Sequence, residues 1–157
     1  MSAAFRPALL LLSALLAACV ATPQASSPED AAAKRFEADL RSAVIYIYRP
    51  ENAGSAPAAV VFLDGRIVGD SLPATFFRVI AQPGRNRIEG TAGDTGRIEL
   101  ATHVGGIYYI EMRVRGEVEA SPQSVFRTVP AEQAQAAILR CCWMLETWRT
   151  GQPRLLW

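Results

Sequence analysis

Asp64-Gly65 stands between two β-rich apolar runs, Ala59-Val60-Val61-Phe62-Leu63 and Arg66-Ile67-Val68-Gly69. A pair of that kind between two such runs predicts a tight hairpin, because a type I′ turn needs positive φ at both central residues. One hairpin cannot stand alone in water, so further strands must cover its apolar face. The chain supplies them. In Ala43–Arg49, Val44, Tyr46 and Tyr48 alternate with Ile45 and Ile47, and two apolar faces suit a central strand. Thr75–Ile80 predicts another, ending at Gln82-Pro83-Gly84-Arg85, where Pro then Gly fits a type II turn. Asn86–Gly90 and Arg97–Thr102 flank the loop Gly93-Asp94-Thr95-Gly96. The longest strand is Ile107–Arg115, with Tyr108, Ile110, Met112 and Val114 on one side and Glu111, Arg113 and Arg115 on the other. That pattern predicts a half-buried strand with a solvated face. Val118 and Ser124–Val129 add one or two more.

About seven short strands separated by turn signals predict an all-β fold, an antiparallel β-sandwich. Two helices accompany it. Ser27-Pro28-Glu29-Asp30 reads as a helix start, with a capping serine, an early proline and two acids at the positive dipole end. Ala32, Phe36 and Leu40 then share one helical face, and Phe36 is expected to pack on the domain. At the other end, Pro130 opens a C-terminal helix. Ala134, Ala137, Ile138, Cys141, Cys142 and Leu145 form its apolar stripe, which docks on a sheet.

Ahead of the domain, Ala8–Ala18 is a run of Ala and Leu broken only by Ser13, behind an N-terminus carrying only Arg6. A spanning helix needs about 20 apolar residues, so this run has the layout of a secretory signal instead. Its ending, Leu16-Ala17-Ala18-Cys19, resembles the lipobox of bacterial lipoproteins. The resemblance implies removal of residues 1–18 and lipidation of Cys19, with palmitate among three chains that hold stably in a bilayer. Val20 stands where an acidic residue would favour the inner membrane, which points to the outer membrane, facing the periplasm. Residues 19–28 then read as a flexible polar tether, 29–142 as the sandwich domain and 143–157 as a C-terminal tail.

Charge excludes one class of partner. Of 16 basic residues Arg6 falls in the signal, leaving 15 against 15 acids. That neutral balance carries no footprint for nucleic acid.

Candidate chemistry is sparse. His103 is the only histidine, and no set of His, Cys or carboxylate ligands converges near it, so no metal or cofactor is expected. It reads as a strand-end loop residue. No G-x-S-x-G elbow occurs. Asp64 is explained by its turn and Asp70 by a loop beside Gly69. Cys141-Cys142 is the most unusual pair, and neighbours on a helix point about 100° apart. Three readings stay open: two small buried hydrophobes, which is favoured; a bridge to another protomer; or an earlier helix end with a vicinal disulfide. Trp143, Trp148 and Trp157 gather near the C-terminus. They form a binding patch if exposed, and cap an open sandwich edge if the tail folds back. Arg113 and Arg115 extend the candidate patch toward anionic glycan or lipid headgroups, although a solvated strand face also accounts for them.

A family resemblance covers roughly Lys34 to Cys142. Ala-Ala-Ala-Lys-Arg-Phe before Ala43-Val44-Ile45-Tyr46-Ile47-Tyr48-Arg49 resembles the opening of the DUF2846 domain of bacterial lipoproteins. Phe62-Leu63-Asp64-Gly65-Arg66-Ile67-Val68-Gly69, Gln82-Pro83-Gly84 and Gly106-Ile107-Tyr108-Tyr109 match it too, and the Asp-Gly and Pro-Gly pattern is similar to PEGA-type sandwiches. Leu72-Pro73-Ala74-Thr75-Phe76 departs from it by lacking a glycine. The resemblance implies a fold and a membrane-anchored envelope lipoprotein, and no catalytic residues. A non-enzymatic binding or structural module with an envelope protein or glycan partner is therefore expected. The alternative is a hydrolase or transferase acting on envelope polymers.

Overall fold

The hairpin at Asp64-Gly65 forms as its residues require, with φ of 50° and 76° at the two central positions. It joins β2 (Ala59–Leu63) to β3 (Arg66–Ser71) in a computed structural model that describes residues 22–50, 58–91, 95–115 and 123–148. The other strands are β1 (Ala43–Arg49), β4 (Thr75–Ala81), β5 (Gly84–Thr91), β6 (Thr95–Thr102), β7 (Ile107–Arg115), β8 (Gln123–Thr128) and the short β9 (Trp143–Met144). Helix α1 (Ser27–Ala33) precedes them, and α2 (Ala131–Cys141) lies between β8 and β9.

Two sheets face each other, ordered β8-β7-β1-β4-β9 and β3-β2-β5-β6. The expected sandwich is present, with one refinement: β1 pairs β7 in parallel, and β4 pairs β9 in parallel. The Pro83-Gly84 turn makes no hairpin. It carries the chain from β4 in one sheet to β5 in the other.

β1 is buried along its whole length because both its faces are covered. Ile45, Ile47, Phe77, Ile110 and Met112 meet Val61, Ile88 and Leu100 between the sheets. Val44, Tyr46, Tyr48, Phe76 and Tyr109 form a second core beneath α2, which contributes Ala134 and Ile138. The five-stranded sheet is thus the middle of three layers.

At one side β8 comes down onto β5 and β6. Gly90 and Gly96 lie opposite each other in register, and both face Ser124 of β8. A side chain at either would meet β8, so the close approach requires glycine. Ala74, in the turn before β4, takes φ of 58°, a left-handed turn conformation.

Two expectations at the ends of the chain are corrected, and the tail folds back on the domain as far as Trp148. Helix α1 is capped by Ser26 rather than Ser27 and stops at Ala33, so Phe36, at φ of 54°, shares no helical face with Leu40. Phe36 still packs on the domain, while Leu40 is 88% exposed. Residues 22–26 are not a tether: Thr22 is buried, Gln24 bridges Leu145, and Ala25 N–H donates to Met144 O at 2.9 Å. The tail from Trp143 to Trp148 belongs to the domain, since β9 extends a sheet, Leu145 is buried, and Trp148 N–H donates to Val68 O at 2.8 Å. Cys19 and Trp157 lie outside the described residues, as does Val118.

Candidate functional site

The helix-covered face of the middle sheet gathers most of the chemistry. Strand register aligns Tyr48 of β1, Glu111 of β7 and Arg127 of β8 in one row. Glu111 is buried, which corrects the expectation of a solvated face on β7. Its carboxylate accepts from Arg127 Nη2 at 2.6 Å, from Tyr48 Oη at 3.1 Å, and from Arg113 Nε. Burial alone would raise the Glu111 carboxyl. The hydrogen bonds and charges of Arg127 and Arg113 outweigh it and hold the carboxyl below its ordinary value. The same site pushes the Tyr48 hydroxyl up to about 12, first through burial and then through the Glu111 charge. Glu111 is therefore an ionised, fully engaged acceptor and not a proton donor at neutral pH.

The sign of its contribution to stability follows. A carboxyl whose folded value is depressed stabilises above its unfolded value, and the contribution is lost as pH falls through the folded value. Glu111→Gln should cost about 1–2 kcal/mol at neutral pH, at the low end for a buried pair because both arginines are half in solvent. Urea midpoints measured from about pH 7 to about pH 3 should show a shallower acid loss in the variant than in the wild type. Parallel curves would contradict this role.

One row over, aromatic rings take the place of charge. Tyr46 stacks on Tyr109 at 5.3 Å between centroids, and Phe36 leans on Tyr46, also at 5.3 Å. Tyr46 Oη donates to Ala33 O at 2.7 Å and accepts from Arg78 Nε at 3.3 Å, while Gln135 Nε2 donates to Tyr109 Oη at 2.7 Å. Burial raises the hydroxyls of both tyrosines. Beside this layer lies an open cleft of about 300 Å³, lined by Glu29, Ala32, Ala33, Arg35, Glu37, Arg78 and Met144. Its charges are already engaged: Arg35 pairs with Glu37 at 2.8 Å, Arg78 donates to Glu37 O, and Glu29 closes the helix cap on Ser26.

Trp143 stands near that cleft and is 52% exposed. The Lys34 ammonium lies 5.1 Å from its ring centroid and 2.8 Å from Asp30 Oδ2. Asp30 is buried and accepts Met144 N–H at 2.8 Å, so one carboxylate ties α1 to β9. Trp148 is half-buried beside β3. Arg113 and Arg115 are exposed on β7. Trp143 and Arg113 are separated by three strand steps in the sheet order, about 14 Å at the usual strand spacing. Trp143 and Arg113 therefore do not share one patch.

Cys141 and Cys142 are joined in a vicinal disulfide, which corrects the favoured reading of two free buried thiols. The angular objection holds only inside a helix. Cys142 has left it, with φ of −119° and ψ of 140°, because the chain straightens there to enter β9. Cys142 is buried and Cys141 partly so.

The remaining candidates stay apart. His103 sits exposed just past β6, its N–H donating to Tyr108 Oη at 2.9 Å. Asp64 accepts from Asn86 Nδ2 and Arg87 N–H, as a turn residue does. Asp70 lies within β3 rather than in a loop, and its N–H donates to Thr22 Oγ1. Among the described residues no cluster of three His, Cys, Asp or Glu is placed to hold a metal.

Sequence reasoning missed buried Glu111 and the Tyr46–Tyr109–Phe36 layer. The signal existed. A strand apolar on both faces, together with a helix expected to dock on a sheet, implies that the neighbouring strand is covered on both sides too.

An uncharacterized protein of Haemophilus influenzae is 28% identical over 107 residues, which is 67% of this chain and 64% of that protein. The chain thus matches a little under two thirds of its relative's length. No family model matches, and no solved structure matches.

Proposed function

We propose that this chain is a lipid-anchored module of the bacterial envelope, held at the outer membrane by Cys19 and facing the periplasm. Its role on this reading is binding or structural and not catalytic. The observation that carries it is Leu16-Ala17-Ala18-Cys19 at the end of a short apolar run. The resemblance to the DUF2846 domain points the same way. So does the Cys141–Cys142 disulfide, since such bonds persist in oxidising compartments and are rare in the cytosol. Among the described residues no helix is long and apolar enough to cross a membrane.

A non-catalytic role is supported by how the polar groups are used. Glu111, Tyr48, Arg113 and Arg127 are engaged with each other, and the His103 backbone N–H is taken up by Tyr108 Oη. The partner class we favour is an envelope protein or glycan.

The test is Cys19→Ser in the full chain, expressed in a Gram-negative host. Wild-type protein should enter the detergent phase and incorporate an alkynyl palmitate analogue. The variant should incorporate none and run as soluble protein or uncleaved precursor. Unchanged detergent partitioning of the variant would overturn the reading.

A further inference from the structure

Helix α2 and strand β9 meet at the Cys141–Cys142 disulfide. Cys142 N–H still closes the last helical turn on Ile138 O at 3.0 Å, yet its own φ of −119° and ψ of 140° send the chain into β9. Much depends on that change of direction. Trp143 N–H donates to Ala74 O at 3.0 Å, Leu145 N–H to Phe76 O at 2.8 Å, and Met144 N–H to Asp30 Oδ1 of α1 at 2.8 Å. Residues 22–26 are laid on β9 in turn, through Ala25 N–H to Met144 O and Glu146 N–H to Pro23 O, each at 2.9 Å. The disulfide stands at the root of the segment that ties α1 and residues 22–26 to the sheet.

The sequence of that segment also suits a helix. Ala134, Ala137, Ile138, Cys141, Cys142 and Leu145 keep helical spacing past the place where α2 stops, and residues 142–146 include neither Gly nor Pro. β9 is only two residues long, so few ladder bonds hold the strand form. Neighbouring side chains on a helix point about 100° apart, so Cys141 and Cys142 bridge only when Cys142 has left the helix. Two free thiols fit either form. A bond that one of two conformations alone admits shifts the population toward that conformation, as a selective ligand does. Oxidation therefore favours β9, and reduction withdraws that bias.

The two sulfurs differ in access. Cys142 is buried, and its Sγ lies 3.8 Å from Arg49 O, whereas Cys141 is partly exposed. An incoming thiolate meets Cys141 first. We propose that Cys141–Cys142 is a redox-reversible clasp on β9, opened by a dithiol reductant. One thiolate of the dithiol bonds to Cys141 Sγ as the Cys141–Cys142 bond breaks. The electron pair leaves on Cys142 Sγ, which takes a proton from water and, as a thiol, donates to Arg49 O. The second thiolate then attacks the sulfur of the first, forming the reductant's own disulfide and releasing Cys141, which is protonated in turn. Two electrons and two protons pass from the dithiol to the cysteine pair, and the same exchange run backward closes the clasp. With the clasp open, β9, residues 22–26 and the Asp30 contact unfasten more often. This goes beyond the lipid-anchor reading and does not depend on it.

The test uses the full chain carrying Cys19→Ser in detergent, so that Cys141 and Cys142 are the remaining cysteines. No thiol should titrate in the isolated protein, and two should titrate after dithiothreitol under native conditions. Amide hydrogen exchange, followed by mass spectrometry, should then be several-fold faster in residues 22–26 and 143–148, while β5 and β6 keep their rates. A Cys141→Ser, Cys142→Ser double variant should show the faster rates with and without dithiothreitol. Two thiols before reduction, a bond that yields to dithiothreitol only after unfolding, or exchange unchanged by reduction would each overturn the clasp. Equal acceleration in every strand would overturn it too, because the bond would then hold the whole fold and not β9.

Discussion

Gly96→Ala should cost about 3 kcal/mol or more, toward the upper end for overpacking in a dense core. A Cβ at Gly96 would overlap the carbonyl oxygen of Ser124 and stand 2.5 Å from its carbonyl carbon. The obstruction is backbone, held in the β7–β8 ladder by the Val114–Ser124 pairing, so no rotamer change relieves it. Either β6 or β8 must shift, which opens the side where the two sheets meet. Gly90 gives an internal control. Its Cβ would meet the Phe126 ring at 2.7 Å and Ser124 side-chain atoms at 2.9 Å. Side chains can give way, so Gly90→Ala should cost less, about 1–2 kcal/mol. Urea unfolding of both variants measures the difference. A Gly96→Ala midpoint within error of wild type would show that β8 does not pack as described.

Tyr46→Ala should cost about 3–5 kcal/mol, the range for removing a large buried aromatic side chain. Its ring lies between Phe36, Tyr109 and Phe76, and its hydroxyl joins Ala33 O to Arg78. Truncation leaves a cavity under α1 and removes the partner of a helix-end carbonyl. Tyr46→Phe keeps the ring and loses only the hydroxyl, so about 1 kcal/mol is expected. The ratio of the two losses reports how far packing outweighs the hydrogen bond. Equal losses would mean that the Ala33 contact, and not the stack, holds α1 to the sheet.

Much of the architecture was legible because it rests on short-range rules. Asp64-Gly65 announces its turn through the φ angles that both residues tolerate. Ile107–Arg115 announces a strand by alternation, and its bounds match the structure. β1 was recognisable as central from its two apolar faces. The candidate site was less legible. The same alternation that located β7 suggested that Glu111 faced water, because alternation reports a difference between two faces and not whether the second face is covered. The cysteine pair was misread for a related reason: the apolar stripe of α2 runs on past the place where the backbone straightens into β9.

Local chemistry, written in neighbouring residues, determined the strands, the main hairpin and the C-terminal helix. Tertiary structure decided which strands meet. It set β1 beside β7 in parallel and brought Tyr48 to 3.1 Å from Glu111 across 63 positions of chain. It also turned residues 22–26 from a linker into part of the body. The physical reason is common to these cases. Pairing of distant segments is selected by burial summed over both faces of a sheet, and no window of neighbouring residues contains that sum.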